Sequence, residues 1–148
     1  MSYTSLHYHI VFSTKERKPY FDASGNDCLN AYFGGMLRNM KAKLHAVNST
    51  DNHIHLAAGL HPEMSVSSVI RTLKTNSSKW VHDTFEHLNT FSWQEGYSAF
   101  SVSYSGMEKV IQYIANQQEH HKTLSFEEEL VLLLNKHNID FDPNYVFK

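Results

Sequence analysis

Apolar residues recur at steps of three and four through Leu29, Tyr32, Phe33, Met36, Leu37, Met40 and Leu44, so the pattern predicts an amphipathic helix over about residues 22–45. Gly34 and Gly35 interrupt it, as a close packing contact would require. Ahead of it, residues 5–13 are rich in aromatic and β-branched side chains and read as a strand, followed by a basic loop with Lys15, Arg17 and Lys18 that Pro19 ends. Residues 46–60 read as two strands that turn at Ser49-Thr50-Asp51-Asn52. Ser65 can cap a second helix whose core face is Val66, Val69, Ile70, Leu73, Trp80 or Val81, and Phe85, with Arg71, Lys74 and Ser78 on another face. Phe100 to Tyr104 gives a fourth strand, and Met107, Val110, Ile111 and Ile114 mark a third helix. Ser125 can cap a fourth, with Leu130 to Leu134 packing inward. The order β-α-β-β-α-β-α-α is the split βαβ, ferredoxin-like arrangement: an α+β fold with an antiparallel sheet and additional C-terminal helices, residues 1–148 forming a single domain.

The composition narrows the function classes. No apolar run approaches the ~20 residues of a membrane span, and the N-terminus shows no export signal. Cys28 is the only cysteine, which excludes an intrachain disulfide framework or a Cys-rich zinc cage and fits a cytoplasmic protein. The net charge of −2 conceals an asymmetry: residues 1–80 carry nine Lys/Arg against five Asp/Glu, and residues 81–148 carry four against ten. A basic first half is compatible with a polyanionic partner, although charge alone also reads as ordinary surface patchiness.

Candidate chemistry sits in the second strand of the 46–60 pair. His53 and His55 are two apart, so both imidazoles project from one face while Ile54, Leu56, Ala58 and Leu60 line the other. Ala57, Ala58 and Gly59 leave room beside them for a bulky ligand. A second pair, His7 and His9, has the same spacing but fits packing better and is read as structural. On the third helix Tyr113 lies about a quarter turn from the apolar stripe, on the side of Asn116, Gln117 and His120, with Gln117 one turn further along. Two neutral imidazoles and an amide oxygen leave positions open on a divalent ion, which can then bind and polarise a phosphodiester. A phenol oxygen can attack phosphorus and conserve the bond energy in a phosphotyrosine.

Several segments together resemble the single-tyrosine HUH transposases of small insertion sequences, including those associated with repetitive extragenic palindromes. They are Tyr8-His-Ile-Val-Phe-Ser-Thr-Lys-Glu-Arg-Lys-Pro, Asp51-Asn-His-Ile-His-Leu, Leu73-Lys-Thr-Asn-Ser-Ser-Lys-Trp, Trp93-Gln-Glu-Gly-Tyr-Ser-Ala-Phe-Ser-Val and Tyr113-Ile-Ala-Asn-Gln-Gln-Glu-His-His. The resemblance implies an HUH-type catalytic domain with Mg²⁺ or Mn²⁺ held by His53, His55 and Gln117. Tyr113 would cleave single-stranded DNA by linking to a 5′-phosphate and rejoin it by the reverse reaction. It also implies recognition of DNA hairpins at element ends and a homodimer, often with the active site shared between subunits. Lys15, Arg17, Lys18, Arg71 and Lys74 become candidate DNA contacts. Glu16 departs from the aromatic residue that many relatives carry there. The acidic run Glu127 to Glu129 is expected to face solvent or a partner subunit.

Three other readings use the same residues. A ferredoxin-like nucleic-acid-binding module without cleavage would have no use for Tyr113. A metal-dependent hydrolase would let water attack. A domesticated nuclease would process genomic palindromes with the same chemistry.

Overall fold

The computed structural model describes residues 1–147. Four strands, β1 (His7–Ser13), β2 (Lys43–Ser49), β3 (His53–Gly59) and β4 (Ser98–Val102), form one sheet in the order β2-β3-β1-β4, every neighbouring pair antiparallel. Helices α1 (Ala23–Asn39) and α2 (Val66–Thr84) provide the two crossovers, which makes this the expected α+β split βαβ fold. After β4 come α3 (Met107–Ala115), α4 (Gln117–His120) and α5 (Phe126–Lys136). No helix of the described residues is long and apolar enough to cross a membrane.

Strand alternation sorts the side chains into two layers. Ile10 and Phe12 of β1 and Ile54, Leu56 and Ala58 of β3 face α1 and α2, where they meet Leu29, Phe33, Leu37, Val69, Ile70 and Leu73 in the main core. The residues between them face the other way. Val11 and Phe100 pack under α5 against Phe126, Leu130, Leu133 and Leu134, and Ala57 packs under α3 against Met107 and Ile114. His9, His53 and His55 belong to this second face.

Several element boundaries differ from those the sequence predicts. The first helix stops at Asn39: Lys41 takes a left-handed conformation (φ 58°) and the Ala42 N–H returns to the Leu37 carbonyl at 3.0 Å. Leu44 therefore lies in β2, close enough that a Cβ on Gly34 would stand 3.4 Å from its side chain, whereas Gly35 meets nothing. The third helix breaks at Asn116, so Tyr113 and Gln117 lie on consecutive helices. Asn48 of β2 holds that break, its Nδ2 donating to the Ile114 carbonyl at 2.9 Å, one of the acceptors a helix end leaves free. In β2 the pairing steps from Leu44↔Ala58 to Ala46↔Ala57, a bulge with His45 as the extra residue. Both predicted N-caps form: Ser65 accepts from the Ser68 N–H, and Ser125 builds a capping box with Glu128.

Candidate active site

His53, His55, Tyr113 and Gln117 are brought together by three elements on the sheet face beneath α5. The His53 Nδ1 lies 2.8 Å from both Asn52 Oδ1 and the Thr50 hydroxyl, which orients the ring so that its Nε2 faces Gln117 Oε1 at 3.2 Å. The His55 Nδ1 meets His9 Nε2 at 2.8 Å, an oriented contact between two buried rings.

At their centre is a residue the sequence reading placed elsewhere. Glu129 of α5 is buried, not turned to solvent or a partner. Its Oε1 lies 2.9 Å from His55 Nε2, 3.5 Å from His53 Nε2 and 3.2 Å from His121 Nε2. Its Oε2 accepts from the Tyr113 hydroxyl and, at 3.0 Å, from Gln117 Nε2. The signal was present in the sequence: Phe126, Glu129, Leu130 and Leu133 follow the i, i+3, i+4, i+7 spacing of a buried helix face. The neighbouring acids behave differently. Glu127 pairs with Arg17 Nε at 2.6 Å and Glu128 closes the helix cap. Leu132 is exposed, so Leu130 to Leu134 do not all point inward.

Electrostatics follow from this enclosure. Burial opposes ionisation of Glu129, but hydrogen bonds from His121, His53 and His55 overcome it and hold the carboxyl well below the usual carboxylate range. Burial, reinforced by the adjacent Glu129 carboxylate, raises the Tyr113 phenol. Burial pushes His55 down to about 4, and burial with His55 beside it pushes His9 down to about 3, so both rings are neutral near pH 7.

Neutral imidazoles beside a carboxylate are a metal-ligating set. His53, His55 and Glu129 offer donor atoms within 4.8 Å of one another. Gln117 Oε1 and Glu129 Oε1 converge on His53 Nε2, at 3.2 and 3.5 Å, so three donor atoms of the kinds that bind a divalent ion face one another. The residues therefore fit a bound divalent ion.

The expected role of the small residues in β3 is not what the packing supports. Ala57 seats α3, and a Cβ on Gly59 would lie 2.9 Å from His7. Their lack of side chain serves packing rather than ligand entry. His9, read as structural, proves to be the partner of His55, and its strand pairing (His9↔Ala57) was not visible from spacing alone.

The candidate DNA contacts are dispersed. Lys15, Arg17 and Lys18 sit on the loop after β1, where Glu16 and Arg17 both take positive φ (57°), and Lys15 and Arg17 line a cleft of about 580 Å³ with Trp93, Gln94 and Phe147. The Arg17 Nη1 also donates to the Phe147 carbonyl at 2.9 Å. Arg71 is exposed on α2, across the sheet from Tyr113. Lys74 is half-buried, donating to the Gln94 carbonyl at 2.9 Å and to that of Gly96.

Residues 2–117 match the family described as Transposase IS200 like. The transposase for insertion sequence element IS200 of Salmonella typhimurium is 28% identical over 120 residues, covering 78% of each chain, as is that of Salmonella typhi. Among solved structures, a putative transposase from Deinococcus radiodurans R1 matches with a TM-score of 0.66 at 24% identity, over 78% of this chain and 93% of that one. A REP-associated tyrosine transposase bound to a REP hairpin matches with a TM-score of 0.61 at 14% identity, over 82% and 72%. At these identities the two structures speak for the fold. The family match ends at Gln117, so His121 and Glu129 lie beyond it.

Proposed function

The chain belongs to the IS200-like transposase family, and from that premise we propose that it cleaves and rejoins single-stranded DNA through a covalent 5′-phosphotyrosine on Tyr113. The observation that carries this reading is the convergence of the Tyr113 hydroxyl with His53, His55 and Gln117, bridged by Glu129, within one chain. His53, His55, Gln117 and Glu129 would hold Mg²⁺ or Mn²⁺, which when bound polarises the phosphodiester. Tyr113 supplies the attacking oxygen: the phenol O–P bond forms as the P–O3′ bond breaks, the proton that the phenol gives up is matched by the one that the departing O3′ takes up, and Glu129 orients the hydroxyl by accepting its hydrogen bond. The 3′-hydroxyl set free is the nucleophile for the reverse step.

Residues 1–148 would act as one cytoplasmic catalytic domain, as a homodimer that pairs through open sheet edges. DNA hairpins are the proposed recognition target, in keeping with the hairpin-bound relative, and Lys15, Arg17, Lys18, Arg71 and Lys74 are the proposed backbone contacts.

The test uses Mn²⁺ and a labelled single strand that carries a candidate element end. Wild type is expected to form a protein–DNA adduct that survives denaturation, and Tyr113→Phe to form none while keeping its fold and DNA affinity. An adduct on the phenylalanine variant would move the nucleophile to another residue.

A further inference from the structure

The site is closed on most sides. His53, His55, Gln117 and Glu129 are each 2% exposed or less, whereas Tyr113 keeps part of its surface. Tyr113 lines a cleft of about 230 Å³ between α3 and α5, floored by His9 and bordered by β4. Lys109 of α3, Lys136 in the last turn of α5 and His137, which ends that helix, also line it. Lys109 and Lys136 are exposed, and neither has an ion pair or hydrogen bond through its ammonium among the described residues. Residues 81–148 carry only four Lys/Arg against ten Asp/Glu, and two of those four meet at this cleft. The His137 ring is stacked on Phe100, with centroids 4.3 Å apart and planes 18° from parallel, so this wall is fixed.

We propose that the α3–α5 cleft receives the backbone of single-stranded DNA beside the bond that Tyr113 attacks, with Lys109 and Lys136 each holding a phosphate that flanks the scissile one. The proposal rests on Tyr113 as nucleophile. An unpaired strand suits a hydroxyl recessed between two helices, where a rigid duplex does not. Val110 and Leu133 offer apolar walls to sugars and base faces, while the lysines, point charges on flexible stems, bind phosphate without regard to sequence. The two cations also offset the Glu129 carboxylate bound to the Tyr113 hydroxyl, which would otherwise repel the approaching phosphate. The other candidate cations lie elsewhere or are engaged: Arg17 by Glu127 and Phe147, Lys18 by Glu16 and Lys74 by two carbonyls, while Lys15 lines the separate cleft beside Trp93 and Arg71 lies on the opposite layer.

The experiment compares wild type with the Lys109→Gln/Lys136→Gln double variant, binding a fluorescent hairpin with and without a single-stranded extension over a salt series. For the extended DNA, affinity is expected to fall at least about ten-fold near 0.1 M salt. The slope of log affinity against log salt should shrink by about 1.4, roughly 0.7 for each single-strand phosphate lost. The blunt hairpin should bind both proteins alike, and the thermal melts should coincide. An unchanged affinity and slope on the extended DNA would overturn the proposal, as would an equal loss on the blunt hairpin. Adduct formation tests the nucleophile separately: a lysine-dependent slope in a protein that forms no adduct keeps the cleft as the DNA path and removes Tyr113 from the chemistry.

Discussion

Glu129 carries a negative charge into a pocket of imidazoles, and the state of those rings determines how the apo site responds to acid. In the metal-free protein His9 and His55 titrate near 3 and 4, against an ordinary value of 6.5. Between pH 6.5 and about 4 the unfolded chain therefore takes up protons that the folded chain refuses, so stability falls as pH drops, by up to about 1.4 kcal/mol per pH unit for each ring. Melting temperatures of chelator-treated protein at pH 7.5, 6 and 5 should decline stepwise, and a flat series would contradict neutral burial. His9 has a second consequence. For His55 to present Nε2 as a ligand its proton must sit on Nδ1, where His9 Nε2 can accept it. His9→Phe is expected to weaken Mn²⁺ binding by about 10–100-fold in calorimetry while leaving the fold intact. Undiminished affinity would reduce His9 to packing. The His-x-His pattern of β3 made two members of the cluster legible from sequence, but the partner on β1 depends on strand register, which no local pattern encodes.

α5 shows what local sequence can and cannot tell at the scale of an element. Its start is marked by Ser125 and Glu128, because a capping box is satisfied within four residues. Ser125→Ala removes the side-chain acceptor for the Glu128 N–H and is expected to cost about 1 kcal/mol in urea denaturation. A loss near zero would mean that the buried contacts of Phe126, Leu130, Leu133 and Leu134 fix the helix by themselves. Where α5 would dock was not legible. A run of three glutamates suggests a solvated face, and only the helical phase of the apolar residues around Glu129 argues otherwise. The break at Asn116 was equally hidden, since neither Gly nor Pro marks it and the tertiary contact from Asn48 holds it. Tyr113 and Gln117 still meet because both reach the same Glu129 oxygen.

The whole molecule is a single sheet with different chemistry on each side, and the order of elements made that architecture readable. Both outer strands, β2 and β4, pair on one side only, and such edges invite pairing with another chain. Sedimentation at micromolar concentration is expected to give a dimer, and a lone 17.1 kDa species would refute it. The bulge at His45 bears on both layers. Leu44 and Val47 serve the α1–α2 core, while Ala46 packs under α3 and Asn48 holds its end. A strand is read in a frame of two, and His45 is the extra letter that lets a longer segment stay in phase with β3. Losing His45 would preserve the phase. A single-residue insertion or deletion after the bulge would exchange the two faces of the rest of β2, moving an apolar residue off the core and Asn48 off α3 in one event. For this chain, a change of length in an outer strand is thus a heavier lesion than most changes of identity there, and the catalytic layer would register it together with the core.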